Sequence, residues 1–295
     1  MNDRVLGCLR KAGSVAREAR ELGASMVDEG VRYLDVAMEI ESFIIKKGAR
    51  PAFPVNIGVN STAAHFTPNY GDGARFVRGD VVKIDVGAHV DGYIGDTAAT
   101  LEVGTRNWKN LIEAAESALR IAVEMTADGI AVNMIGGAIE RSIKGFGFRP
   151  VVNLTGHGMS QYSLHAGLTV PNIDDGVASK IRKDMTIAIE PFATNGSGSV
   201  SNEQPGNIFR LLRERSIRDK QALGLFHEIE VSFGTLPFCE RWCVDLNKEA
   251  PALLRTLVRH GLISSYPQLK EVNMGIVSQA EHTVVISGSK CEVTT

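Results

Sequence analysis

Nowhere in its 295 residues does this chain run through eighteen consecutive apolar positions, which argues against a membrane-spanning helix. The opening MNDRVLGCLRKAG lacks the apolar core of a secretory signal peptide. Blocks of Lys and Arg are missing too, and 32 basic against 34 acidic residues leave a net charge of −2. Direct nucleic-acid binding is therefore not expected. Cysteine is scarce, with Cys8, Cys239, Cys243 and Cys291 alone. The step from Cys239 to Cys243 fits one face of a helix, and without a second pair or a Cys/His cluster it does not build a zinc site. A reducing cytoplasm is the expected compartment. What remains is an ordinary globular balance, 44% hydrophobic and 22% charged, long enough for one large domain or two small ones.

The most informative stretch is Val81 to Val103, VVKIDVGAHVDGYIGDTAATLEV. Two strand-like runs flank Asp91-Gly92, a dipeptide suited to tight hairpin turns. Each run carries one acid in an apolar setting, Asp85 and Asp96. If residues 88 and 93 close a four-residue loop, the two lie directly opposite. If the turn is Asp91-Gly92 alone, Asp96 faces Gly87 and Asp85 is its diagonal neighbour. Alternation puts both carboxylates on one face in either register. Such a pair repels, so either water or a shared divalent cation must compensate.

Periodicity predicts helices over about 3–27, with Asn2 or Asp3 as cap, over 31–47, over 107–126 with Asn107 as cap, and over 133–144. Ile40-Glu41, Gly48 and Arg50-Pro51 reappear as Ile139-Glu140, Gly147 and Arg149-Pro150, always 99 residues on. This points to a duplicated helix–strand half with a site where the halves meet. Residues 193–206 read as a Gly/Ser/Asn-rich loop. Residues 216–261 read as a helical excursion, with helices at Ile217–Val231, Leu236–Leu246 and Pro251–His260, whose default role is to pack and shape a pocket.

More polar groups stand in or beside apolar strands. His157 sits between glycines in Thr-Gly-His-Gly, Glu190 ends Met-Thr-Ile-Ala-Ile, and Glu281 shares a strand face with Gln279. Unpaired buried carboxylates are expensive, so Asp85, Asp96, Glu190 and Glu281 together ask for a common partner. His65 by itself reads as a surface loop histidine.

Taken together, Asp85, the second aspartate eleven residues later at Asp96, His157 in Thr-Gly-His-Gly, Glu190 before Pro191-Phe192 and the late Glu281 resemble the ligand set of methionine aminopeptidases, over nearly the whole chain. About ninety residues between the two glutamates, with Phe233-Gly-Thr-Leu-Pro-Phe-Cys and Tyr266-Pro267, are similar to the type 2 enzymes, in an archaeal-like short form. The resemblance implies an α+β pita-bread (creatinase/aminopeptidase-like) fold of two pseudo-symmetric halves, one catalytic domain over 1–295 with a helical insertion at about 200–270. It implies two divalent metal ions, Mn, Fe, Co or Zn, held by Asp85, Asp96, His157, Glu190 and Glu281 and sharing a hydroxide that attacks the scissile carbonyl. It further implies that Glu190 moves the proton, His65 meets the scissile amide nitrogen and His165 the oxyanion. Phe53, Leu164, Phe192 and Tyr266 would enclose the methionine side chain. The expected partner is a nascent polypeptide N-terminus with a small second residue, in proximity to the ribosome, and the expected state is a monomer. The rivals are a proline-directed peptidase of the same fold, such as prolidase or aminopeptidase P, and a catalytically inactive binding module.

Overall fold

The structure, a computed structural model, describes residues 1–213, 215, 217–287 and 290–295. Helix α1 (Asp3–Met26) starts where the Asn2 side chain accepts a bond from Val5 N, 2.9 Å. Its buried stripe is small: Ala12, Gly13, Ala16, Ala19 and Gly23 recur at spacings of one, three and four. A Cβ on Gly95 would lie 2.6 Å from Gly13 Cα, so paired glycines let this helix lie directly on the sheet. After α2 (Tyr33–Lys46) come β1 (Arg50–Pro51), β2 (Asn56–Val59), β3 (Thr62–Ala64), β4 (Val81–Val90) and β5 (Tyr93–Glu102). The apolar faces of α1 and α2 close over β2 and β4 around Ile40, Ile57, Val82 and Ile84.

The second half repeats the plan. It runs α3 (Lys109–Met125), α4 (Val132–Gly145), β6 (Arg149–Pro150), β7 (Thr155–Met159), β8 (Thr169–Pro171), β9 (Thr186–Ile189) and β10 (Phe192–Thr194). The hydrogen bonds repeat as well. Gly30 N donates to Phe76 O as Gly129 N does to Ile181 O, and Ala52 N to Gly87 O as Val151 N does to Phe192 O. Donors keep the 99-residue offset of the sequence repeat, whereas acceptors are 105 apart, because the intervening loop is longer in the second half. Asp85 and Glu190 are themselves 105 apart, so these two acids occupy equivalent places in the two halves.

Within the second half, after β10, comes an inserted layer: β11 (Val200–Leu211), α5 (Lys220–Phe233), β12 (Phe238–Cys239), α6 (Glu240–Leu246), α7 (Ala250–His260) and β13 (Ile263–Glu271). Its strands order as β12-β11-β13-β3, which fastens it to the first half. The chain then closes through β14 (Val277–Gln279), β15 (His282–Ser287) and β16 (Lys290–Val293). The fold class is thus the α+β one expected.

Several local expectations need correction. Asn107 does not cap α3; its backbone N–H and that of Trp108 donate to the Glu102 carboxylate at 2.8 Å each, which anchors the loop ahead of the helix. Residues 193–206 are mostly strand, because β13 and the Asn153 amide satisfy a backbone whose composition reads as loop. Cys239 and Cys243 do not share a helix: α6 begins at Glu240, and Cys239 closes β12 before it. Helix α5 starts three residues late, where Asp219 accepts from Gln221 N and Ala222 N, and Ser216 lies outside the described residues. Glu281 stands not inside a strand but at the break between β14 and β15.

The hairpin register is settled as well. Val90 pairs with Tyr93 and Gly87 with Asp96, so the turn is Asp91-Gly92, both at positive φ (52° and 81°). A Cβ on Gly92 would meet the Tyr162 ring at 2.4 Å in a conformation that L-residues resist. Gly92→Ala is expected to destabilise the chain by about 1–3 kcal/mol, read as a lower urea midpoint with unchanged m.

Candidate metal centre and substrate cleft

The two halves meet along a polar seam. Glu281 N donates to Ala98 O at 3.1 Å, Thr97 Oγ1 to Glu281 O at 2.8 Å, and Thr100 Oγ1 to Gln279 O at 2.7 Å. Asp96 N in turn donates to Thr283 Oγ1 at 2.7 Å. These bonds hold the first half's β5 against β14 and β15, and they bring acids far apart in sequence face to face. On β4, Asp85 pairs with Ala98, so it is the same-face diagonal neighbour of Asp96. His157 on β7 and Glu190 just past β9 approach from the second half, with His157 Nε2 at 3.7 Å from both Asp96 Oδ2 and Glu190 Oε1.

Every residue expected in the site lines one cavity of about 430 Å³: Asp85, Asp96, His157, Glu190 and Glu281 at one end, His65 and His165 beside them, and Phe53, Leu164, Phe192 and Tyr266 around. Phe53 lies flat on the sheet because Gly87 offers no Cβ; one would stand 2.2 Å from its ring. Phe192 is both wall and core, as it also packs with Val151 and Val277. His65 has φ of +63°, an unfavourable conformation for a residue with a Cβ, and its Nδ1 lies 3.2 Å from Pro267 O. A carbonyl only accepts, so Nδ1 carries the hydrogen in this bond and Nε2 is left bare. Its ring meets Tyr266 edge-on at 5.4 Å, and the rings of His157 and His165 are 4.4 Å apart.

Sequence reasoning assigned no role to Gln279 or Asn56. Gln279 is fully buried and its amide nitrogen donates to Glu190 Oε2 at 3.3 Å and to Glu281 Oε2 at 3.5 Å. Pairing of Phe192 with Gln279, set against Gly87 with Asp96, makes Gln279 the second half's counterpart of Asp96. An amide there supplies a donor where another acid would add a fifth negative charge. Asn56, buried opposite Asp85, also lines the cavity. The only hint in sequence was a polar residue standing in each apolar strand. Pro237 and Ile208 from the inserted layer also line the cavity.

Electrostatics make the cleft unstable by itself. Burial pushes the Asp85 carboxyl up to about 7 against the Gln279 amide. Burial, reinforced by neighbouring carboxylates, holds Asp96, Glu190 and Glu281 well above the ordinary range. Burial also lowers His157 to about 3 and His65 to about 4, so both imidazoles are neutral near pH 7. Among the described residues, Asp85 Oδ1, Asp96 Oδ1 and His157 Nδ1 are buried without a hydrogen-bond partner. Ligand atoms of Asp96, His157 and Glu281 lie within 4.8 Å of one another. Orphaned oxygens, one neutral imidazole and excess negative charge are what divalent cations compensate, and the donor set fits them.

Over residues 7–231 the chain matches metallopeptidase family M24. It is 43% identical over 295 residues, spanning all of both chains, to a methionine aminopeptidase from Archaeoglobus fulgidus. Among solved structures, a thermophilic Arx1 superposes with a TM-score of 0.88 at 15% identity, covering 100% of this chain and 91% of that one. A methionine aminopeptidase from Thermotoga maritima superposes at 0.75 with 22% identity, covering 100% and 98%. At these identities the two structures establish the pita-bread fold alone.

The raised carboxyls have a consequence for stability. A group that stays protonated in the folded state but ionises in the unfolded one destabilises the fold as pH rises towards its folded pKa. For Asp85 that loss is spread over the range from about 4 to about 7. The depressed histidines act oppositely, but only below about 6.5, where the unfolded chain takes up protons. Buried Lys83, lowered to about 7, works the other way above that pH, but Asp96, Glu190 and Glu281 outweigh one lysine. Between pH 6.5 and 8, metal-stripped protein should therefore lose melting temperature as pH rises, at roughly 2–4 °C per kcal/mol. Added Mn²⁺ should restore more at pH 8 than at pH 6.5. Differential scanning calorimetry reads both; a flat profile without metal would deny the buried carboxyls their raised pKa values.

Proposed function

The chain belongs to metallopeptidase family M24, among its methionine aminopeptidases, and we infer from this and from the cleft above that it removes the N-terminal methionine of polypeptides. The observation that carries the reading is the union, in one cavity, of five ligand-type side chains, two further histidines and an apolar wall. Membership in the family implies bound metal. We propose two divalent ions, which Asp85, Asp96, His157, Glu190 and Glu281 would hold. When bound, they supply Lewis acidity and a water that ionises at neutral pH.

The remaining work falls to the chain. Glu190 takes the proton from the attacking water and returns it to the amine as the C–N bond breaks. His65, with its bare Nε2, accepts from the scissile amide N–H and holds the peptide in line. His165 donates to the oxygen that becomes negative. Phe53, Leu164, Phe192 and Tyr266 enclose the unbranched thioether, whose sulfur gains from contact with rings. The confined cleft favours a small second residue. The substrate is the N-terminus of a newly made polypeptide, met in the cytoplasm near the ribosome, and the enzyme works as a monomer.

The first test is release of free methionine from Met-Gly-Met-Met by metal-stripped protein given Mn²⁺, Fe²⁺, Co²⁺ or Zn²⁺, beside the Leu-led analogue. Metal-dependent release confined to the Met-led peptide is expected; inactivity with every metal would refute the reading. Glu281→Gln should abolish turnover and lower the metal stoichiometry while the far-UV spectrum stays unchanged. In contrast, His65→Ala should keep its metal and lose about 100-fold in kcat, and an unchanged kcat would remove His65 from the reaction.

A further inference from the structure

The repeat holds one pair of equivalent acidic residues, Glu41 and Glu140, and the reaction uses neither. Glu140 sits near the surface and pairs with Lys144, one helical turn on, at 2.6 Å. Glu41 is buried, 7% exposed, and faces Arg241 of α6, itself 4% exposed. Arg241 donates through Nη2 to Glu41 Oε1 at 2.6 Å, and Trp242 Nε1 donates to Oε2 at 2.9 Å. Oε1 also accepts from Val55 N at 3.2 Å. Arg241 extends the connection through Nη2 to Thr67 Oγ1 at 3.5 Å and through Nη1 to Cys239 Sγ at 3.2 Å.

Each segment tied in this way carries a residue of the cleft. Val55 is two residues from Phe53, Thr67 two from His65, and Cys239 two from Pro237. Leu236, next to Pro237, packs with Phe53 and Leu164. No backbone ladder joins the 52–55 segment to the 236–239 segment among the described residues, so their spacing depends on side chains. A buried ion pair is a poor source of stability but a good source of geometric definition, since a misplaced partner leaves a charge uncompensated.

We propose that the Glu41–Arg241–Trp242 cluster is a positioning device that sets the width of the methionine pocket by fixing the inserted layer against the Phe53 segment. It rests on the function proposed above. Its residues act through Phe53, Leu236 and Pro237 and touch neither metal nor substrate. It also accounts for the difference between the two repeats, since the inserted layer covers Glu41 and leaves Glu140 near the surface.

The test uses the full chain loaded with metal, on Met-Ala-Ser and Leu-Ala-Ser. The double variant Glu41→Gln/Arg241→Met removes both charges together, so no unpaired ion is left buried. Trp242→Phe keeps an aromatic ring, though a smaller one, and deletes one donor, and Glu140→Gln is the control. The double variant should bind the same metal and raise KM for Met-Ala-Ser about 10-fold, with kcat held within about twofold. Preference for Met over Leu should fall alongside. Trp242→Phe should move the same way by less, and Glu140→Gln not at all. If the double variant fails to fold, Trp242→Phe decides alone. Wild-type KM and selectivity in the folded variants, or a fall in kcat at constant KM, would overturn the positioning role. Wild-type protein that releases no methionine from Met-Ala-Ser would instead sink the functional reading beneath it.

Discussion

Four carboxylates sharing one buried cleft dominate the physics of this molecule. Taking even one carboxylate out of water costs several kcal/mol, and like charges a few ångströms apart add to that cost. Such a site persists only if the rest of the fold is rigid enough to hold it and either protons or a cation neutralise it. The seam between halves supplies the rigidity. Backbone and threonine bonds fasten β5 to β14 and β15, so Asp96 and Glu281 cannot separate without breaking the joint between halves. Gln279 supplies the one polarity reversal, a donor in the place where symmetry would put a further acid.

Duplication explains how the acids came together and why their neighbourhoods differ. Asp85 and Glu190 hold equivalent positions, yet one side carries the inserted layer and the other does not. That layer adds Ile208, Pro237 and Tyr266 to the cavity and buries Glu41, turning a symmetric scaffold into a one-sided cleft. Lys83 shows the same demand for definition. Fully buried, it donates to Asn60 O and Val277 O and so ties β4 to β14, two residues from Asp85 and two from Gln279.

Some of this was legible in the chain. Strand alternation places Asp85 and Asp96 on one face whichever turn is formed, and the 99-residue repeat marks two equivalent halves. Both signals are local or periodic, so they survive without knowledge of contacts. The errors have local causes of the same kind. Asn107 reads as a cap because Asn caps helices, but Glu102, five residues earlier, captures its N–H. Residues 200–206 read as loop because their composition resists strand, until β13 supplies a partner. Gln279 and Asn56 were visible only as polar residues in apolar runs, since their importance lies in what faces them.

By itself, then, the sequence determined the two-half plan, the absence of a long apolar span, and the side-chain types that can bind a cation, because these follow from period, composition and chemistry. The tertiary structure alone decided which hairpin register forms, that Gln279 stands where the other half has Asp96, and that Glu41 is buried against the inserted layer while Glu140 is not. Those choices depend on contacts between residues separated by up to about two hundred positions, as between Glu41 and Arg241, and no local pattern encodes such a contact.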